Sequence, residues 1–236
     1  MNTVRNSSRQ FFFAVLVLLV AAWASGEGAQ WLLRWRAEKL LADVRLIQVD
    51  RSQWADAQRM MQQWNRWDAP VEGCTAEKCD FRINLVQSLP PILGASPQGG
   101  VRNWLPRLAN LVGLRSSAAR AGFTVENGII TSRWFGEQVT PPVADRTPTT
   151  EYIPYLSVLS EESAKFHLPT EGRPRLHPNR TAQPVNNYLV VGFTPEEETS
   201  EKAALLDFHL SCITQLSPCH SESDILPEGW KLSQER

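Results

Sequence analysis

After residue 26 the chain has no long apolar run, no strong charge of either sign and only four histidines, and each shortage closes a class of function. A formal net charge of −1 leaves no basic footprint for the phosphates of a nucleic acid, so none is expected as a partner. His167, His177, His209 and His220 are scattered, and none lies at i, i+4 from another histidine or a cysteine. There is no H-E-x-x-H, no G-x-S-x-G, no glycine-rich phosphate loop and no dinucleotide fingerprint. Hydrolysis and group transfer need an activated nucleophile or a paired acid and base within hydrogen-bond reach. No spacing here supplies one, so no catalytic residue, metal or cofactor is expected, and the chain reads as a non-enzyme.

Cysteine is also scarce, and its placement is informative. Cys74 and Cys79 form one local pair, Cys212 and Cys219 another, and neither has C-x-x-C spacing. An even count in short loops points to two structural disulfides, which persist in an oxidising compartment. His209-x2-Cys212-x6-Cys219-His220 is the one Cys/His grouping, and it could hold zinc only if both thiols were reduced.

What the chain does have is an apolar run from Phe11 to Ala24, preceded by Arg5 and Arg9 and free of charge until Glu27. The uncharged stretch from Gln10 to Gly26 is 17 residues, at the short edge of a bilayer span. Phe11, Val15, Leu19 and Trp23 are its candidate membrane-spanning positions. The same run fits a signal-peptide core, with Ala22-Trp23-Ala24 as a cleavage site and a secreted or periplasmic product. Helical character nevertheless continues: Leu33, Ala37, Leu40, Leu41 and Val44 recur at i, i+4, i+7, i+8 and i+11. Trp23, Trp31 and Trp35 suit the aromatic belt of a membrane surface. An uncleaved anchor is therefore expected, with the lipid bilayer as its partner.

Basic residues flank the run almost equally, so the cysteines decide the orientation, placing the N-terminus in the cytoplasm and the domain outside. This gives a cytoplasmic segment over 1–9, a membrane helix continuing as an amphipathic helix over 10–45, and an extracytoplasmic domain over 46–236. The last, about 190 residues with ordinary composition, is long enough to bury a core as one unit.

Along that domain, Asp50 and Gln53 read as a capping box for a helix carrying Trp54, Ala57, Met61 and Trp64 on one face and ending before Pro70. Asp80 to Leu85 alternates as a strand with one wet face. Asn103 caps a short helix that Gly113 ends, and Val101 to Phe123 holds four arginines and no acid, read as solvated charges on a helix packed against a sheet; the alternative is a basic helix bearing Trp104 that lies on an anionic membrane surface beside the anchor. Asn127-Gly128 predicts a two-residue hairpin pairing Val125 with Ile130 and Thr124 with Thr131. That register puts Phe123, Val125, Ile130 and Trp134 on one face, opposite Thr124, Glu126, Thr131 and Arg133. Tyr152 to Leu159 is a strand that Pro154 places at an edge. Ser160 to Asn187 carries no assignable element and is the default place for a binding loop; it holds the sequon Asn179-Arg180-Thr181. A pocket joining Glu161, Glu162, His167 and His177 would mark an enzyme. Tyr188 to Phe193 is an apolar strand, and Thr194-Pro195-Glu196-Glu197 opens a helix running to about Leu210. The fold class is α+β: a long N-terminal helix, then a mostly antiparallel sheet with flanking helices.

The tail Leu206-Asp-Phe-His-Leu-Ser-Cys212, with Pro218-Cys219, Asp224-Ile-Leu-Pro and Trp230, joins Cys74-Thr-Ala-Glu-Lys-Cys79 in resembling an uncharacterised family of single-pass bacterial envelope proteins. The matching blocks cover about a quarter of the chain, and the resemblance implies no activity. The function expected is a non-enzymatic envelope module that binds an envelope protein, peptidoglycan or another surface ligand; the alternative is a secreted or periplasmic enzyme or redox protein using the 160–187 loop or the Cys212/Cys219 pair. The architecture is also similar to that of type IV pilins, but the Gly-Phe processing site with its following glutamate is absent.

Overall fold

A 45-residue helix, α1 (Asn2–Leu46), runs unbroken from the apolar segment into the body of the protein in this computed structural model. The described residues are 2–67, 73–87, 112–139, 155–166, 175–178, 186–217 and 219–234. After α1 come α2 (Trp54–Trp64), β1 (Lys78–Gln87), β2 (Ser117–Glu126), β3 (Ile129–Val139), β4 (Tyr155–Ser163), β5 (Arg175–Pro178) and β6 (Asn186–Phe193). Three short helices close the chain: α3 (Thr199–Leu205), α4 (Glu222–Ile225) and α5 (Pro227–Gln234), with a 3₁₀ turn over Leu210–Ile213. The fold is α+β, as the sequence indicates.

The six strands form one sheet in the order β1-β2-β3-β4-β6-β5, antiparallel except for the parallel β4–β6 pair. One face is apolar. Phe81, Ile83 and Leu85 of β1 alternate inward with wet residues between them, as expected for a half-buried strand. On β2 the inward residues include Ala119 and Ala121, both fully buried. Their small side chains leave room for α1 to lie close over the sheet. The stripe read from sequence is the one used: Leu33, Ala37, Leu40, Leu41 and Val44 are all buried against it. At about 25 cal/mol per Å² of apolar surface, such a stripe rather than helix propensity fixes the outer half of α1.

The Asn127-Gly128 turn forms, both residues taking positive φ as a type I′ turn requires. Val125 pairs with Ile130, but the register then slips: Thr124 lies opposite Ser132 rather than Thr131. The bulge at Thr131 reverses every side chain beyond it. Arg133, expected on the wet face, is buried on the core side, and Trp134 covers the outer face above Gly122. Only a glycine fits there, because a Cβ at Gly122 would stand 2.5 Å from the Phe81 carbonyl and 2.7 Å from the Trp134 ring.

Four other expectations need correction. Asp50 does not cap α2; it sits in a left-handed turn with φ +64, and the box is Gln53 with Asp56. The spacing rule holds, shifted by the turn that joins α1 to the hairpin through Asp50 N–H to Ile130 O and Ile130 N–H to Ser52 O. β4 is interior, flanked by β3 and β6, and begins at Tyr155, after Pro154. Thr194 to Glu197 forms a turn, and α3 starts at Thr199 because Glu198 has extended backbone (ψ 142). Finally, Arg115, expected as a solvated charge, is fully buried, whereas Arg120 on β2 is exposed. The helix expected from Asn103, the link over 140–150, His167 and the sequon lie outside the described residues. Of the stretch read as unassigned, Ser160 to Asn187, the described part includes the end of β4, all of β5 and the start of β6.

Candidate functional site: an exposed apolar helix and a charged cleft

Two regions of α1 differ sharply in their surroundings. From Phe12 onward the helix is long and apolar enough to cross a membrane, and none of its most apolar window is buried in the protein. Val15 and Leu19 are exposed there; the side chain of Phe11 lies outside the described residues. Leaving this much apolar surface in water is unfavourable, whereas a bilayer accepts it and a helix satisfies its own backbone there.

The domain begins where the apolar run ends. Trp23 donates its indole N–H to the Val112 carbonyl at 3.0 Å, and Gly26 lies against Leu114. Just beyond, the α1–sheet contact is polar. Gln30 is fully buried and donates to the Arg115 carbonyl, and Gln87 donates to the Gly26 carbonyl. The Arg115 guanidinium turns into the C-terminal loop, where it donates to the carbonyls of Cys212, Gln215 and Leu216. Burial lowers its pKa, opposed by the Glu27 carboxylate. Nearby, Glu137 of β3 is buried with neither carboxylate oxygen hydrogen-bonded, and desolvation raises its pKa well above 4.5 despite the attraction of Arg34.

The other end of α1 borders an open cleft of about 970 Å³, lined by Arg45, Asp50, Arg51, Glu196, Lys202 and Asp207 among others. Its floor is an enclosed ion pair. Arg133 Nε meets Glu162 Oε2 at 2.5 Å, with side chains 8% and 2% exposed. Arg133 Nη1 also donates to the Val44 and Arg45 carbonyls, at 2.8 and 3.0 Å, so it caps the end of α1. Lys202 Nζ stands 3.6 Å from Glu162 Oε1 and donates to the Pro195 carbonyl. Arg45 reaches the Leu206 carbonyl and Asp207. One cluster thus ties α1, β3, β4 and α3 together. Because the bulge put Arg133 inside, alternation alone could not locate it, and with Glu137 also on β3 and Glu161 also on β4 no charge in these strands marked the pair.

The candidate residues from sequence fall as follows. Cys74 and Cys79 are bridged, with Cα atoms 4.4 Å apart, and so are Cys212 and Cys219, at 5.6 Å. The first loop receives the hairpin turn, through Asn127 N–H to Glu77 O and Gly128 N–H to Ala76 O. His209 and His220 are exposed beside the second bridge, whose sulfurs are committed to each other. Among the described residues no group of three or more His, Cys, Asp or Glu could hold a metal. Glu161 and Glu162 do not converge: Glu162 faces the core, while Glu161 pairs with Trp134 on the opposite face, where burial raises its pKa. His177 lies on β5, beyond β6, and His167 is outside the described residues. Comparison with protein-family models, curated proteins and solved structures found no match.

Proposed function

We propose that this is a membrane-tethered envelope module whose folded part lies on the extracytoplasmic side and acts by binding or bracing, not by catalysis. The observation that carries this reading is the division of α1. Its first half exposes an apolar surface, while its second half is the spine of the domain core. A secreted protein after cleavage at Ala24 would keep that spine but lose the exposed half. Two disulfides favour an oxidising compartment and hence an outward domain.

The non-enzymatic part rests on where the perturbed groups lie. Glu137, Glu161 and Glu222 each have a raised pKa from burial, but Glu137 is under α1, Glu161 is on the outer sheet face and Glu222 is in α4. In the cleft, Arg45 pairs with Asp207, and Arg133 and Lys202 both face Glu162. An envelope protein docking at this cleft is the partner such a surface fits. Carbonate extraction combined with proteolysis of right-side-out and inverted vesicles tests the tether. The full chain should stay in the membrane pellet and be digested only from the outer side. A soluble product beginning near Ser25 would mean a cleaved signal, and digestion only from the inner side would mean the opposite orientation.

A further inference from the structure

The apolar run and the domain are not separated by a linker, and this determines what else meets the membrane. Trp23 is within the run, yet it is already hydrogen-bonded to Val112. Gly113 follows with φ +86, so close to its neighbours that an added Cβ would stand 2.9 Å from both Glu27 Oε1 and Leu216 Cδ2. Leu216 lies in the loop closed by Cys212 and Cys219. It is 65% exposed, and Val112 beside it is 45% exposed. Two large apolar side chains from distant parts of the sequence therefore flank α1 at the level of Trp23 to Glu27.

We infer that Val112 and Leu216 form a membrane-seating collar, with the Cys212–Cys219 loop as a foot that inserts Leu216 among the outer lipid headgroups. The occupant is a lipid bilayer because the collar is continuous with the apolar run. An uncharged stretch of 17 residues rises about 25 Å, less than the ~30 Å hydrocarbon core, so its outer end is drawn down to the surface. The collar must descend with it. Trp23 and Trp31 on the same helix have the amphipathic character that interfaces favour.

Arg115 is the positioning residue of this foot. Its guanidinium is bound by three carbonyls of the loop, at Cys212, Gln215 and Leu216, while the disulfide fixes the ends. The loop backbone is thereby satisfied from inside, and the Leu216 side chain is directed outward. A short polar loop without such a plug would have its carbonyls compete for water instead.

This collar rests on the tether reading, and one experiment separates the two. Full-length Val112→Cys, Leu216→Cys, Phe13→Cys and Arg59→Cys variants, each with both native disulfides verified by mass spectrometry, are nitroxide-labelled. They are reconstituted in phosphatidylethanolamine/phosphatidylglycerol vesicles, and collisions with oxygen and with a water-soluble nickel chelate are measured. Labels at 112 and 216 should favour oxygen several-fold more than the label at the water-exposed position 59. Nickel preference at both, with position 13 favouring oxygen, overturns the collar and leaves the tether. Nickel preference at position 13 overturns the tether itself. Labels at 112 and 216 shielded from both reagents would mean that protein, not lipid, covers the collar. In an Arg115→Met background that keeps its near-ultraviolet circular dichroism, the label at 216 should lose its oxygen preference while that at 13 keeps it. An unchanged label at 216 would remove Arg115 from the positioning role.

Discussion

Replacing Arg133 with methionine isolates the contribution of the enclosed ion pair to the fold. The substitution strips Glu162, only 2% exposed, of its 2.5 Å partner and removes the donor that caps the Val44 and Arg45 carbonyls. Removing one member of a buried pair costs roughly 3–5 kcal/mol, because a desolvated charge is left behind. Lys202, 3.6 Å from Glu162, still offsets part of that charge, which places the loss near the lower figure, about 3 kcal/mol. Glu162→Met alone should cost a similar amount by leaving Arg133 uncompensated. The double variant has no buried charge at this position, so it should be more stable than either single variant, with a coupling of at least ~2 kcal/mol. Urea unfolding of the detergent-solubilised full chain, followed by tryptophan fluorescence and near-ultraviolet circular dichroism, gives all four stabilities. Additive losses, or an Arg133→Met effect within ~1 kcal/mol of zero, would refute the claim that this pair holds α1 to the sheet.

Glu137 should make the protein less stable as pH rises. Its folded pKa is raised above the unfolded value, so its contribution is complete below about 4.5 and is lost as pH rises through the folded pKa. Glu161 and Glu222 slope the same way, so the test is the difference between wild type and Glu137→Gln, whose urea midpoints should diverge in favour of the variant between pH 5 and 8. Alkylation without reductant should modify none of the four cysteines, whereas full labelling would restore zinc as a candidate. Opening either bridge should cost about 2 kcal/mol by chain entropy, given loops spanning only 5 and 7 residues, as read from unfolding of Cys-to-Ser pairs. Gly122→Ala should lower the thermal midpoint by an amount corresponding to ~1–3 kcal/mol, because the Phe81 backbone cannot move away. Gly28→Ala, on an α1 position with nothing within 4 Å, should be neutral or stabilising by up to ~1 kcal/mol in the same assay.

Features carried by local chemistry were legible in the sequence. The apolar run, the stripe from Leu33 to Val44, the Asn127-Gly128 turn and the alternation of β1 each depend on neighbours a few residues away. What escaped depends on a single inserted residue or on distant partners. The bulge at Thr131 has no marker in composition, yet it decides that Arg133 enters the core and Trp134 leaves it. Arg115 looked like one of four solvated cations, because the carbonyls that accept its hydrogen bonds come from residues about a hundred positions later. At Thr194 the helix-start pattern was satisfied by a turn, since leaving β6 required one before the chain could coil. The candidate cleft was invisible for the same reason: its lining comes from α1, the following turn, β3, β4 and α3.

The unbroken helix also acts as a ruler. From Ala24 to Leu46 α1 climbs about 33 Å at ~1.5 Å per residue, and the charged cleft gathers around its last turn. On the tether and docking reading proposed above, the cleft is carried at one height above the bilayer and at one bearing about the helix axis. Neighbouring copies would present their clefts in a common plane, so a partner must reach that plane and meet the cleft from a set side. A load applied at the cleft is not absorbed by a flexible joint. It passes down the rod as tilt and torque on the membrane segment.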